Sequence, residues 1–286
     1  MEDSIQALLE AAKGEKLSAL AVRLQAKQDQ VDENELRGRM AEYLGVMRAS
    51  VEDGMREDAR SLSGLTGGQA AKILSAVKDG RTAGGSLIGM AAARAMAVAE
   101  CNACMGRIVA APTAGSCGIL PAALLTAQEA YGLTDDQLVD ALFTAALFGQ
   151  VIARRASISG AEGGCQAECG SAAAMAAAAL VELRGGTPEM AAQACSFALM
   201  NVMGLVCDPV GGLVEVPCVY RNVGGVANAF TAADMALAGL VSPVPTDEVI
   251  DAMREVGESL PTRLRETGEG GVAGTPAGMR WKNKEN

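Results

Sequence analysis

The amino-acid sequence predicts an all-α protein, a mostly helical single domain whose helices are joined by glycine-rich loops. Half of the 286 residues are hydrophobic, but aromatic residues make up only 3% and glycine occurs 34 times. The core must therefore be built from small side chains, and alanine, which has the highest helix propensity, is abundant. Strand signals are few. The best, Leu213–Val219, is short and is interrupted by Pro217.

Two amphipathic helices are predicted in the charged N-terminal region, residues 1–60. Apolar residues recur there at helical spacing in one stretch that ends at Leu24 and a second that ends at Met47. At Ser61–Gly68 the charge drops and the glycine content rises. We therefore predict a boundary there, with an N-terminal helical cap or partner-binding region before it and the main helical domain in residues 61–286.

Eight helices are predicted beyond this boundary, because apolar residues recur at helical spacing between glycine-rich connections. Thr134, Thr187 and Thr246 each precede an acidic residue or a proline, as residues that cap helix N-termini do. The predicted helices are Gln69–Lys78, Ser86–Arg107, Pro121–Tyr131, Asp135–Arg155, Gly170–Arg184, Pro188–Val206, Asn222–Leu240 and Asp247–Ser259.

Charge and composition argue against several classes of function. The net charge of −10 and the absence of a basic cluster disfavour a nucleic-acid or acidic-membrane partner, so a small-molecule ligand is expected. Neither end resembles a targeting segment, and the apolar stretch Ala172–Val181 is too short to span a bilayer, which predicts a cytoplasmic protein. The chain has no histidine, which removes a Ser–His or Cys–His dyad and an imidazole base.

The eight cysteines carry the strongest chemical signal, since disulfides are rare in the cytoplasm. Cys165, Cys207 and Cys218 lie in glycine-rich loops close to predicted helix ends. Thiolate, the form that binds iron, is favoured at a helix N-terminus, the position that Cys165 fits best. Three thiolates without histidine suit a [4Fe–4S] cluster with one iron open, whereas a zinc site would need a fourth protein ligand or a catalytic water.

Structural roles without metal binding are predicted for most of the other cysteines. Cys101 and Cys104 form a C-x-x-C inside a predicted helix without a partner pair, and Cys195 lies mid-helix, so all three are interpreted as core residues. Cys117 is expected to line a pocket without binding metal. Cys169 follows Cys165 by four residues on the same prospective helix face and is the strongest rival as third ligand.

Five loops rich in glycine, serine and threonine separate the apolar helices. Such loops expose backbone N–H groups and hydroxyls at helix ends, where an anionic ligand is favoured. One alone would be an ordinary turn, but five in one helical domain predict a shared pocket. They are SGLTGG (63–68), APTAGSCG (111–118), SISGAEGGCQAECG (157–170), GLVCDPVGGLVEVPC (204–218) and ETGEGGVAGTP (266–276).

The segments APTAGSCGILP, SISGAEGGCQAECGSA and GLVCDPVGGLVEVPC resemble the signature segments of iron–sulfur L-serine dehydratases, also called L-serine ammonia-lyases. The likeness covers most of the chain, including SGLTGG and LRETGEGGVAGTPAG. It implies a lyase of amino-acid catabolism and gluconeogenesis, with a helical iron–sulfur catalytic domain. Cys165, Cys207 and Cys218 match the ligands of a [4Fe–4S] cluster, and the substrate would meet the unligated iron.

The family occurs either as one fused chain or as separate α and β subunits, and this chain resembles the α subunit. The regulatory domain of the fused form is missing, and Trp281–Asn286 contains no cysteine that could occupy the open iron. The partners implied are L-serine and a separate β subunit in a hetero-oligomer, with no nucleic acid and no membrane.

The cluster hypothesis predicts a Lewis-acidic iron on the serine hydroxyl and a base that removes the α proton. The resulting aminoacrylate tautomerises and hydrolyses to pyruvate and ammonia. Without histidine, the base would be a serine alkoxide, a carboxylate or a group of the partner chain. The candidate serines, by their position in the loops, are Ser116, Ser157 and Ser159.

The substrate carboxylate is expected at the N–H groups and hydroxyls of Ser63, Thr66, Thr113 and Ser116, with Arg154 and Arg155 as weaker candidates. We interpret the acidic residues of the loops as structural acceptors of backbone amides around the cluster. These residues are Glu168, Asp208 and Glu215.

Three alternatives remain open at the level of sequence. The same site could carry out a related elimination on threonine or cysteine. The chain could instead be a cluster-bearing sensor or scaffold that binds a partner through Ile5–Arg60. A pyridoxal phosphate enzyme is the least supported, since only Lys72 and Lys78 lie near a glycine-rich loop.

Overall fold

The computed structural model describes Asp3–Lys282, and this part of the chain is helical without a β-strand, which confirms the predicted all-α class. Residues 283–286 of the tail, where the sequence contains no cysteine, lie outside the described residues. The helices are α1 (Ile5–Ala12), α2 (Leu17–Asp29), α3 (Glu33–Gly54), α4 (Gln69–Lys78), α5 (Gly85–Ala103), α6 (Ile119–Tyr131), α7 (Asp135–Arg155), α8 (Gly160–Gly163), α9 (Ser171–Leu183), α10 (Pro188–Met200), α11 (Cys218–Leu237), α12 (Thr246–Ser259) and α13 (Pro276–Lys282).

Helix α9 lies at the centre of the fold, and its residues 171–181 are all buried. It packs against α6, α7, α10 and α11. Seven of those eleven residues are alanine, and because an alanine side chain ends at Cβ, neighbouring helices can approach the backbone of α9 from every side. The low aromatic content of the sequence thus corresponds to a core of closely spaced helices.

The N-terminal region forms three helices, so the prediction of two was wrong. Lys13 and Gly14 have positive φ angles of 48° and 84°, and this left-handed turn separates α1 from α2. Helix α2 packs on α7 and α3 packs on α5, and Ile5 of α1 is buried in the same core as α9. The predicted boundary at residue 60 falls between α3 and α4, and the division into cap and catalytic domain stays a prediction.

Most predicted helix ends lie within four residues of the observed ends. Helices α4 and α7 have the predicted bounds, while α10 ends at Met200, six residues before the predicted end. The hydroxyls of Thr134 and Thr187 accept hydrogen bonds from backbone N–H groups of α7 and α10, as predicted. Thr246 was wrongly predicted as a cap: it is the first residue of α12, and its hydroxyl donates to the carbonyl of Ala192 at 3.1 Å.

The predicted strand Leu213–Val219 was also wrong. The preceding residues form a 3₁₀ turn in which Gly211 and Gly212 have positive φ, and the peptide bond before Pro217 is cis. The N–H of Val210 donates to the carbonyl of Val216 at 2.8 Å. The segment therefore closes its hydrogen bonds within one compact loop that leads into α11.

Helix α7 is long and apolar enough to cross a membrane by length and composition alone. However, 67% of its most apolar window is buried inside the protein, as expected for a core helix that contacts α9.

Candidate functional site

The five glycine-rich loops are joined to one another by hydrogen bonds, mostly through polar side chains that are buried or half-buried. Glu215 links the fourth loop to the first, and Glu168 links the third to the second. Asn222, one turn into α11, accepts from the N–H of Gly118 at 2.8 Å and donates to the carbonyl of Gly115 at 2.7 Å. The last loop is joined to the fourth at Cys207, as described below. The loops thus form one connected region around the predicted ligands.

Cys165 precedes a short π-helix, Gln166–Gly170, and is buried. The groups that act on its thiol are the thiol of Cys169 and the guanidinium of Arg221. These two groups, in that order, lower the pKa of Cys165 against the effect of burial, while the thiol of Cys165 and full burial raise the pKa of Cys169. Cys165 is therefore the more acidic thiol of the pair, and it stands at the N-terminus of the π-helix that leads into α9, as the sequence predicted.

Cys207 is buried, and its backbone is fixed by the last loop. Its N–H donates to the carbonyl of Leu264 at 2.9 Å, and its carbonyl accepts from the N–H of Glu266 at 2.8 Å. Its Sγ lies 3.7 Å from Oε2 of Glu168. Burial, followed by the negative charge of Glu168, raises the pKa of Cys207.

Cys218 is the first residue of the twenty-residue helix α11, where the helix dipole favours a thiolate. Burial nevertheless raises its pKa to about 12, and Cys165 and Glu168 add to the shift. Cys165 likewise raises the pKa of Cys207. The three predicted ligands are thus close enough to influence one another electrostatically.

Glu168 lies among these cysteines in a space that glycines keep open. It accepts a hydrogen bond from the hydroxyl of Thr113 at 2.8 Å, and burial raises its pKa. A Cβ on Gly160 would lie 2.6 Å from Oε2 of Glu168 and 2.9 Å from Sγ of Cys207, and one on Gly115 would lie 3.1 Å from Oε1. Real Cβ atoms do not approach so closely, so larger residues at position 160 would displace the predicted ligand.

The other two acidic residues also accept hydrogen bonds. The predicted donors were backbone amides, and this is correct only in part. Asp208 accepts one backbone amide, that of Val272, at 2.7 Å, and also pairs with Arg221. Glu215 accepts the hydroxyls of Ser61 and Ser63, each at 2.7 Å, instead of backbone amides. Glu168 likewise accepts a hydroxyl.

The predicted carboxylate-binding residues form two separate pairs. Thr113 and Ser116 cap a 3₁₀ turn, and their hydroxyl oxygens are 3.0 Å apart. Thr66 donates to the fully buried Glu100 at 2.8 Å, and Ser63 lines a cavity of about 750 Å³ together with Glu215 and Trp281, among other residues.

The candidate bases Ser157 and Ser159 lie at the start of α8. The hydroxyl of Ser157 donates to Glu162 at 2.5 Å and accepts from the N–H of Ser159 at 3.0 Å. Ser157 lines a different cavity, of about 350 Å³. Of the two arginine candidates, Arg155 pairs with Asp251 of α12 at 2.5 Å, which explains its position away from the cysteines.

The remaining cysteines fit the sequence interpretation for the most part. All eight are free. Cys195 and Cys101 are buried, and Cys104 is half-buried at the end of α5. Cys117 is completely buried, and its thiol points to the carbonyl of Val98 at 3.9 Å, so it packs in the core of the domain.

Within Asp3–Lys282, no three His, Cys, Asp or Glu side chains are placed to bind a single metal ion. A [4Fe–4S] cluster makes a different demand, because each thiolate binds a different iron atom. The donor set fits that demand, because three buried thiols lie on three segments that hydrogen bonds join, and the pKa of one of them, Cys165, is lowered.

Sequence reasoning missed two residues of this region, Arg221 and Glu100. Each is a lone charge in an apolar stretch: Arg221 lies three residues after Cys218, and Glu100 is the only charged residue between positions 95 and 104. A lone charge on an otherwise buried helix requires a buried partner, and this is the signal that could have identified both.

The fold and the site define a class of protein: a helical domain in which glycine-rich loops carry three buried cysteines. The chain matches the family model described as "Serine dehydratase alpha chain" over residues 7–273. The chain belongs to this family, which confirms the resemblance seen in the sequence, and it is an enzyme of the lyase class.

Named relatives are similar over most of the chain. A "Probable L-serine dehydratase, alpha chain" of Bacillus subtilis is 54% identical over 245 residues, 86% of this chain and 81% of that protein. The "L-serine dehydratase, alpha chain" of Peptoniphilus asaccharolyticus is 46% identical over 268 residues, 94% of this chain and 92% of that protein. The "L-serine dehydratase" of Streptomyces coelicolor is 40% identical over 93% of this chain but only 59% of that protein.

Proposed function

We propose that this chain is the catalytic α subunit of an iron–sulfur L-serine dehydratase, which converts L-serine to pyruvate and ammonia. The observation that carries the proposal is the convergence of Cys165, Cys207 and Cys218 from three hydrogen-bonded loops. Family membership and the names of the Bacillus and Peptoniphilus relatives support L-serine as the substrate. The free cysteines are consistent with a reducing compartment, and we propose the cytoplasm.

A separate β chain is the proposed partner. The Streptomyces relative carries, in one polypeptide, a region that this chain does not match, since the match covers 59% of that protein. Relatives of similar length to this chain are named alpha chains. Both facts support a hetero-oligomer in which a second polypeptide supplies what the single-chain relative contains.

Cys165, Cys207 and Cys218 would hold a [4Fe–4S] cluster. When bound, this group supplies a Lewis-acidic iron that makes the substrate hydroxyl a better leaving group. The chain's own residues supply the rest of the site. Cys169 and the positive charge of Arg221 lower the pKa of Cys165, and the missing side chain of Gly160 leaves room for Glu168 and the sulfur of Cys207.

Among the three candidate bases, Ser116 has the best-supported position. Its hydroxyl is 3.0 Å from that of Thr113, which in turn donates to Glu168 at 2.8 Å. When Ser116 takes the α proton, its own hydroxyl proton would pass to Thr113, and the hydroxyl proton of Thr113 would pass to the carboxylate of Glu168. Loss of the α proton and the β hydroxyl gives aminoacrylate, which tautomerises and hydrolyses to pyruvate and ammonia.

The test is anaerobic reconstitution with iron and sulfide, followed by iron quantitation, visible absorption and serine turnover with the β chain. Cys165→Ala, Cys207→Ala and Cys218→Ala should each lose the cluster. Cys195→Ala is the matched control, because Cys195 is equally buried but lies in α10, and Cys169→Ala tests the rival ligand. A cluster that survives all three ligand substitutions would overturn the assignment.

Substrate class is tested with the same preparation. Steady-state rates on serine, threonine and cysteine separate the related eliminations, and serine should be the best substrate. An iron-replete complex that leaves all three amino acids unchanged would favour the sensor alternative instead.

A further inference from the structure

One guanidinium joins two of the segments that carry the predicted ligands and acts electrostatically on the third. Arg221 lies one turn into α11, the helix that begins with Cys218. Its Nη1 donates to the carbonyl of Val206 at 2.7 Å and its Nη2 donates to Oδ1 of Asp208 at 2.5 Å, so it holds the residues immediately before and after Cys207. Its positive charge also acts on the thiol of Cys165, whose pKa it lowers.

This arginine is buried, and its side chain is only 15% exposed. Burial alone would lower the pKa of Arg221, but the negative charges of Cys165 and Asp208 outweigh it and the net shift is upward. A buried charge is costly unless it is paired and hydrogen-bonded. The described hydrogen bonds of the guanidinium are with Val206 and Asp208, which flank the predicted ligand Cys207. Loss of either acceptor would leave a buried charge unpaired, and loss of Arg221 would release the backbone around Cys207.

Asp208 extends the arrangement to the last glycine-rich loop. Its side chain is 3% exposed, and its second oxygen accepts the N–H of Val272 at 2.7 Å. A Cβ on Gly271 would lie 2.0 Å from that oxygen, so the loop backbone packs directly on the carboxylate. A planar fork with fixed donor directions can serve two acceptors at once, whereas the single ammonium of lysine cannot reproduce this geometry.

We propose that Arg221 is a positioning residue of the cysteine site, and that its positive charge, held beside Cys207 by Val206 and Asp208, raises the reduction potential of the iron–sulfur group bound there. This rests on the proposed function. Nearby positive charge stabilises the reduced cluster relative to the oxidised one. Residues that orient metal ligands also affect how tightly the metal is held.

The experiment compares Arg221→Gln and Arg221→Lys with the wild type after anaerobic reconstitution. Arg94→Gln is the matched control, because Arg94 is 16% exposed, pairs with Glu129 and donates a hydrogen bond to the hydroxyl of Thr126 on α6. The readouts are iron per chain, the cluster's midpoint potential followed by electron paramagnetic resonance, and the half-life of visible absorption in air. None of them depends on serine turnover.

Arg221→Gln should give a more negative midpoint potential and about tenfold or more weaker iron retention. Arg221→Lys should lie between it and the wild type, and Arg94→Gln should match the wild type in all three readouts. A wild-type potential in a fully loaded Arg221→Gln protein would overturn the proposal.

Asp208→Asn keeps the proposal testable if Arg221→Gln does not fold. It removes the neutralising carboxylate but retains the guanidinium, so the midpoint potential should become more positive; an unchanged or more negative value would overturn the proposal. If the wild type and Arg94→Gln bind no cluster, the proposed function fails as well. If both bind a cluster and the potentials do not move, only the role of Arg221 fails.

Discussion

Helix α9 and the glycine-rich loops are both built from small residues, but different forces hold them in place. In α9 the alanines are buried on every side and contact four other helices, so the helix is fixed by packing. In the loops, glycine leaves space that polar side chains occupy, and buried carboxylates fix the backbone by hydrogen bonds. A larger side chain should therefore destabilise the protein at any buried position of α9. In the loops it should do so only where the new atoms would overlap a particular side chain.

The largest effect is expected where the loops leave room for the predicted ligands. Gly160→Ala places a Cβ 2.6 Å from Glu168 and 2.9 Å from Sγ of Cys207, and should reduce iron per chain about tenfold or more after reconstitution. Gly224→Ala is the control, because a Cβ there meets nothing within 4 Å, and it should keep the wild-type iron content. Full iron binding by Gly160→Ala would show that the space is not needed for the cluster.

The second prediction concerns the hydrogen bonds that hold the first loop. Glu100 accepts from the hydroxyl of Thr66 and from the backbone N–H groups of residues 67, 69 and 70. Glu100→Gln removes the charge and turns an NH₂ group toward these donors, so it should lower the free energy of unfolding by roughly 2–4 kcal/mol.

Chemical denaturation of the metal-free protein measures this loss. Glu35→Gln serves as the control, because Glu35 is 54% exposed in its pair with Arg39 and such pairs contribute at most about 1 kcal/mol. Equal losses in the two variants would mean that the loop is not held by Glu100.

The third prediction tests packing at α9. Ala177 is completely buried, and Ala177→Leu should lower the free energy of unfolding by about 1–3 kcal/mol because the neighbouring helices must move apart. Ala49→Leu, at an exposed position of α3, should change it by less than about 0.5 kcal/mol. If Ala177→Leu is as stable as the control, close helix contact is not what fixes α9.

The contrast between the two regions also explains what could be predicted from the sequence. The helices were predictable because apolar periodicity records packing on one face, as in α4 and α7, whose bounds agree with the prediction. The cysteines and loops were recognisable by their motifs. The contacts of Arg221 with Asp208 and of Glu100 with Thr66 join residues 13 and 34 positions apart, and no local pattern states which distant group a buried charge will meet.

The same limit accounts for the errors. The break between α1 and α2 depends on a left-handed turn at Lys13 and Gly14. Gly14 is a helix-stop signal, but the apolar periodicity on both sides of it favoured one continuous helix. The strand predicted at Leu213–Val219 has the right composition, but the turn before it folds the segment back on itself.

The smallest effect expected is in the pH dependence of stability. Burial raises the pKa of the Cys195 thiol in α10. The unfolded chain therefore releases this proton at lower pH than the folded protein, so the stabilising contribution is complete below the ordinary thiol pKa of about 8.5 and is lost as the pH rises above it. Cys195→Ala should flatten the alkaline decline of the free energy of unfolding by up to about 1.4 kcal/mol per pH unit.

This slope is measured by denaturing the metal-free protein at a series of pH values between about 8 and 10.5. The interval spans the ordinary pKa values of thiols and lysines. Cys104→Ala is the comparison, because the thiol of Cys104 is only half-buried and the pKa of Cys104 is raised by the same cause, burial. The slope of the free energy of unfolding against pH should change less in Cys104→Ala than in Cys195→Ala. That result would show that the slope depends on full burial of the thiol among packed helices. A slope unchanged by Cys195→Ala would mean that the packing around α10 opens before its thiol ionises.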